Sequence, residues 1–180
     1  MHAIRGTKYL AGSIFCLMAF SPLYAADGYI GAGLGQSEIR QGFFGEYGNA
    51  FKIFAGLRLY PNLAIEAAYL DYGNPSENLF GVETQYDAWA TAAWAKGIWP
   101  ATANIDLLGK AGLAYSKIDK TITVFGSPPS KTSFSGTNFA WGLGASFKYW
   151  EKFSVQLEYE DINSDLDTIT LWSISALYTF

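Results

Sequence analysis

After residue 25, apolar and polar residues alternate with a period of two along almost the whole chain, right up to its final residue. The last nine residues, WSISALYTF, set Trp172, Ile174, Ala176, Tyr178 and Phe180 on one side and Ser173, Ser175 and Thr179 on the other, with Leu177 breaking the polar set. A period of two is that of a β-strand, whose successive side chains point to opposite faces. The pattern recurs over 51–59, where Phe51, Ile53, Ala55, Leu57 and Leu59 alternate with Lys52, Phe54, Gly56 and Arg58. It returns in 63–69, opposite a face that carries Glu66, and in 105–116, where Asp106, Lys110, Gly112 and Ser116 form the second face. Segments 139–149 and 153–160 repeat it, with Gly142, Gly144 and Lys148 on the second face of the former and Gln156, Glu158 and Glu160 on that of the latter. Segments 28–36 and 84–96 are weaker cases, rich in Gly and in Ala and Trp respectively, and bring the expected count to eight strands.

The connections alternate in length. Short ones at 60–62, 97–103 and 150–151 are interleaved with longer, more polar ones at 37–49, 72–83, 117–136 and 161–167. An even-stranded, antiparallel up-and-down barrel with both termini on one side has this rhythm, with short turns at the terminal end and long loops at the other. The sequence therefore predicts an all-β, eight-stranded barrel.

Residues 1–25 do not share the pattern. Arg5 and Lys8 give a basic start, an eleven-residue apolar run follows over 10–20, and small residues close the segment around Ala25 and Ala26. That is the layout of a secretory signal, and the run is too short for a spanning helix, which needs about 20 residues. The expected division is a cleaved signal over 1–25 and a single barrel domain over 26–180. Cleavage removes two positive charges and no negative one, taking the net charge from −4 to −6, and it removes the only histidine, His2, and the only cysteine, Cys16. What remains has no imidazole, thiol or disulfide, no Cys/His metal site, and no basic footprint for nucleic acid. No cofactor is expected.

Periodicity does not say which face of a barrel points inward. A lipocalin-like barrel buries its apolar face, whereas a membrane barrel turns that face to lipid. Aromatic placement favours the membrane. On the apolar faces Phe51, Tyr69, Trp94, Tyr115, Phe139, Tyr149, Phe153, Tyr159, Tyr178 and Phe180 lie toward strand ends, as in the two aromatic girdles of a membrane barrel. The polar face is rich in Gly, Ala and Ser. It carries Lys52, Arg58, Lys110 and Lys148 against Glu66, Asp87, Asp106, Glu158 and Glu160, an expected charge network in the lumen. Eight strands enclose an interior just wide enough for side chains, so small residues make room and opposite charges neutralise one another. Turned the other way, Arg58 or Lys110 at the bilayer midplane would cost about 2–4 kcal/mol each.

The stretches AFKIFAGLRLYPNLAIEAAYLDYG (50–73), LLGKAGLAYS (107–116) and the closing ALYTF resemble the OmpA-like and OmpX-like outer-membrane β-barrel domains of Gram-negative bacteria. The similarity extends over residues 26–180. It implies a cell outer membrane location, a monomer with both termini in the periplasm, and contact with outer-membrane lipid and lipopolysaccharide. It also implies insertion by the barrel-assembly machinery with periplasmic chaperones, for which a terminal strand ending in Phe with an aromatic two residues earlier serves as the signal. Here that strand offers Trp172, Ile174, Tyr178 and Phe180. No second domain follows Phe180, which fits the short OmpX-like form better than the two-domain OmpA form.

Chemistry finds little to work with. Enzymatic barrels of this size rely on a histidine, which leaves only a carboxylate mechanism through Glu158 and Glu160. The acidic run at 161–167 begins with calcium-loop spacing, yet Leu166 stands where the turn glycine belongs and Trp172 where the bidentate glutamate belongs. GAGLG (31–35) lacks the helix a phosphate loop needs. The expected function is thus a non-enzymatic one: envelope integrity, or surface interaction of the adhesion type with an extracellular ligand the sequence does not name. A narrow porin-like channel through the lumen is the alternative.

Overall fold

The computed structural model describes residues 27–41, 44–73, 76–79, 82–124, 130–163 and 168–180, all but a few of them in strands. In chain order these are β1 (Asp27–Gln41), β2 (Phe44–Tyr60), β3 (Leu63–Asp71), β4 (Ser76–Leu79), β5 (Val82–Pro100), β6 (Ile105–Val124), β7 (Ser130–Lys148), β8 (Phe153–Asn163) and β9 (Thr168–Thr179). All pairings are antiparallel. β3 and β4 pair one after the other with β5, so they form a single stave interrupted near Gly73. Gly73 has a φ of 73°, in the left-handed region that glycine enters without strain, and its N–H donates to Asp71 Oδ1 at 2.9 Å. β1 pairs with β9, and this closes the ring into an eight-stranded barrel.

The strands are longer than their apolar faces. The connection expected over 117–136 is mostly ladder, with β6 and β7 paired from Lys117↔Ser135 to Ile122↔Ser130. The one expected over 37–49 is likewise paired out to Gln41↔Phe44. Runs such as SKIDKTITV suit a strand through their β-branched residues but set Lys117, Asp119, Thr121 and Thr123 on the outer face, so they read as loop when a lipid-facing stripe is the guide. Asp165 and Asp167 of the acidic run lie outside the described residues.

Facing directions follow the alternation. In β3, Leu63, Ile65, Ala67 and Tyr69 are exposed while Ala64, Glu66, Ala68 and Leu70 are buried. The exposed apolar residues make the lipid-facing surface, among them Ile30, Leu34, Ile53, Leu107, Leu113, Leu143, Val155, Leu157 and Ile174. Aromatic rings bound it at both ends. At the terminal end Tyr149, Trp150, Phe153, Tyr178 and Phe180 pack in a chain, with successive centroids 4.6, 6.0, 4.9 and 5.7 Å apart. At the other end Tyr69, Trp89 and Tyr115 form one row and Trp141, Tyr159 and Trp172 another.

β5 overturns two expectations. Its even residues Ala88, Ala90, Ala92, Trp94 and Lys96 are buried in the lumen, so Trp94 is not a lipid-facing aromatic and Asp87 is not a lumen charge. Trp89 takes the belt position instead. The run AWATAAWA offers alanine to both faces, and shifting the parity by one residue exchanges every side chain between them.

Small and large residues meet inside. A Cβ at Gly31 would run into the Phe54 ring, and one at Gly56 into the Tyr29 ring. Both rings are buried, so these glycines create the space they fill. Leu143 lies mid-way along the lipid-facing part of β7, between Phe147 and Trp141. Leu143→Arg is expected to lower folding stability in phospholipid vesicles by about 2–4 kcal/mol, and Ser133→Arg, beyond the belt opposite Asp119, by no more than about 1 kcal/mol; denaturant titration measures both.

Candidate functional site

Three lysines and three glutamates from five strands meet in the middle of the lumen, all of them buried: Lys52 on β2, Glu66 on β3, Lys96 on β5, Lys110 on β6, and Glu158 and Glu160 on β8. Lys52 Nζ donates to Glu158 Oε2 at 2.6 Å and to Glu160 Oε1 at 3.2 Å. Lys96 Nζ reaches Glu66 Oε2 at 2.8 Å and Glu158 Oε1 at 3.4 Å. Lys110 contacts Glu66 Oε1 at 3.4 Å and Glu158 Oε1 at 3.2 Å, and is bonded to Glu160 as well. Tyr29 donates its hydroxyl to Glu66 Oε2 at 3.0 Å, and Lys96 donates also to Gln156 Oε1 at 3.1 Å. The lysine stems and ammonium groups lie beside rings, Lys110 Nζ at 4.7 Å from the Trp94 centroid and Lys52 Nζ at 5.2 Å from that of Phe54.

The register shows why the cluster has this composition. Lys96 and Lys110 are direct cross-strand partners between β5 and β6. Like charges in that position repel. Glu66 and Glu158 each touch both lysines, turning a repulsive pair into a bridged one. The positions facing them are cleared of side chains: a Cβ at Gly144 would meet Glu158 Cγ at 2.8 Å, and one at Gly142 would meet Lys110 Cε at 3.0 Å. Three positive and three negative charges sum to zero, which is what a buried, water-poor cluster requires.

The layers on either side differ. Toward the termini, Lys148 donates to Asp106 Oδ1 at 2.9 Å, and with Arg58 and Asp27 they line a recess of about 30 Å³. On the other side Leu70, Tyr72, Ile118, Ile162, Ile169 and Leu171 are buried, an apolar layer above the charges. Of the nine expected lumen charges, the structure brings Lys52, Glu66, Lys110, Glu158 and Glu160 together, and places Asp106, Lys148 and Arg58 in the terminal-side recess. Asp87 stands apart on the outer surface with Lys117, Asp119 and Lys131. Lys96 went unrecognised. Its signal was the parity of β5, which the alanines concealed. Glu158 and Glu160, the pair a carboxylate mechanism would use, are each held by at least two lysines.

The family model described as the outer membrane protein beta-barrel domain matches residues 9–180. The chain belongs to that family. It is an outer-membrane β-barrel protein of the OmpA/OmpX-like type, and the lipid its apolar surface meets is that of the bacterial outer membrane. Solved structures share the fold at low identity. Neisserial surface protein A is 15% identical with a TM-score of 0.69, over 87% of this chain and 100% of that one. Ail, the attachment invasion locus protein of Yersinia pestis, is 17% identical with a TM-score of 0.64, over 87% and 100%. The outer membrane protein OprG from Pseudomonas aeruginosa is 14% identical with a TM-score of 0.59, over 87% and 96%. No curated protein matches the sequence significantly.

In this outer-membrane barrel the closing strand is fixed at its tip. Phe180 N–H donates to the Gly28 carbonyl at 2.9 Å, and Trp172, Ile174 and Phe180 are exposed on the lipid side. Tyr178 packs between Phe153 and Phe180. Within the cluster, Glu66→Gln leaves Lys96 and Lys110 with Glu158 as their one shared counter-ion and is expected to destabilise the barrel by about 3–5 kcal/mol. Adding Lys96→Met restores the charge balance, so the double variant should cost less than the two single costs together, by about 0.5–3 kcal/mol. A double-mutant cycle by denaturant unfolding in vesicles reads that coupling.

Proposed function

We propose that this protein is a plugged, non-enzymatic barrel that acts at the cell surface, through the strands and loops on the side away from its termini, in an adhesion-type or envelope-supporting role. The observation that carries this reading is the lumen: among the described residues a neutral, ion-paired layer lies beneath a layer of buried, mostly apolar side chains, and a recess of about 30 Å³ lies near the termini. Solute flow would need both layers to be broken. Ail, which shares the fold, is named for attachment and invasion and has been solved with the heparin analogue sucrose octasulfate. That supports a surface role here at the level of fold.

The same reading takes residues 1–25 as a cleaved signal and residues 26–180 as the barrel, a monomer with its termini in the periplasm. Lipopolysaccharide surrounds the outer belt. The seam strand, with Trp172, Ile174, Tyr178 and Phe180 on its outer face, engages the barrel-assembly machinery after periplasmic chaperones deliver the chain. Residues 26–180 refolded into a planar bilayer are expected to show no stable conductance. Steady openings would instead favour the narrow channel, and their loss on changing Lys110 would then locate the conducting path in the charged layer.

A further inference from the structure

The lipid-facing wall is not evenly clad. A row of cross-strand neighbours crosses it from Tyr178 in the terminal-end belt through Ile30 on β1, Ala55 on β2, Ala67 on β3, Ala93 on β5 and Leu113 on β6 to Phe139 on β7. Three consecutive alanines thus stand in a row whose other members are large and apolar. All three are exposed, so their small size leaves a hollow in the surface. The hollow measures about 890 Å³; Ala95 extends its floor, and Ile30, Leu57, Ile65 and Phe180 stand around it. Phe180 is fixed in that place. Its N–H donates to the Gly28 carbonyl at 2.9 Å, and its ring lies so close over β1 that a Cβ at Gly28 would meet Cδ2 at 3.0 Å. Among the described residues, Phe180 of the terminal-end belt borders the trough, whereas the upper-belt rings Tyr69, Trp89 and Tyr115 do not. The trough therefore lies in the terminal half of the wall.

We propose that this trough holds one acyl chain of a phospholipid from the periplasmic leaflet, retained by the barrel when the surrounding lipid exchanges. The inference rests on the reading above that the termini are periplasmic, because the trough belongs to the terminal end. It is continuous with the surface that meets lipid, so its occupant comes from within the membrane. The shape of the trough selects among the candidates there. A two-fold contact between copies sets the same patch against itself, so trough would face trough and the void would double. A void forfeits the dispersion contacts of the atoms that line it. The flat wall of any other barrel would rest on Ile30 and Leu113, four strand spacings or about 19 Å apart, without reaching the alanines between them. A slender, flexible hydrocarbon chain does reach them. On a smooth part of the wall such a chain touches protein along one side; here it meets a floor of alanines and a bank on either hand, and more of its methylenes pack against protein.

Native mass spectrometry identifies the occupant by its mass. The protein is expressed in a Gram-negative outer membrane and extracted in mild detergent, and the wild-type barrel should carry one phospholipid. Ala67→Phe and Ala93→Phe each fill the floor, and each should lower the retained fraction about tenfold. Leu157→Phe, an apolar exchange on β8 outside the trough, should leave retention unchanged, and so should Ala67→Gly, which keeps the floor open. A wild-type barrel free of lipid, or equal retention by all four variants, would overturn the site. Lipid A in place of phospholipid would overturn the assignment to the periplasmic leaflet. A dimer that Ala67→Phe abolishes would make a second copy the occupant and sink the proposal as well. The conductance measurement is independent of each of these outcomes, so the plugged-lumen reading stands or falls separately.

Discussion

Within hydrocarbon no water is present to satisfy a backbone N–H or C=O, so a strand that crosses it must be paired along both edges. Here the β1–β9 and β3–β5 pairings meet that demand, because they are the two that turn a meander of strands into a ring. Much else follows from closure. Once every spanning strand has neighbours on both sides, its side chains have only two destinations, lipid or lumen, and any charge in the spanning region must go inward. The position of Lys52, Lys96, Lys110, Glu66, Glu158 and Glu160 is thus a consequence of the bilayer before it is a site of any kind. Phe180 belongs to the same logic: its N–H continues the ladder to Gly28, so the chain ends while still paired.

Sending charges inward creates a second problem, since eight strands enclose little volume. It is met by unequal sharing of space. Gly31 yields to Phe54, Gly56 to Tyr29, Gly144 to Glu158 and Gly142 to Lys110. Removing any one ion from such a cluster leaves its partner's charge buried and uncompensated, which costs far more than the net worth of the pair. The Lys96–Lys110 opposition makes this acute, because the two cations are adjacent by register and are tolerable only while Glu66 and Glu158 lie against both.

How much of this could be read in advance varies strand by strand, and for physical reasons. β3, β6, β8 and β9 have bulky apolar residues on one side and small or charged ones on the other, so a single parity fits and the lumen charges they carry follow from it. β5 has alanine on both sides. Alanine is acceptable to lipid and lumen alike, so its parity is set by its neighbours in three dimensions; Asp87 and Trp94 changed sides in consequence, and Lys96 went unrecognised. The outer hairpins failed for a different reason. Beyond the belt the outer face of the sheet meets water, the lipid-facing stripe disappears, and Thr, Ser and Ile in alternation still make good strands without announcing themselves.

Those outer hairpins are also where the constraints relax. A residue between the belts answers to lipid or to a crowded lumen, and almost any change there is a change in stability. Ile118 still reaches the buried layer, but the outward residues of 117–124 and 130–136 answer to water and to their ladder. The interior and the outer hairpins thus divide the constraints: the ion-paired cluster can change only in concert, whereas beyond the belt the outer face of a strand is free to vary as long as the ladder is kept.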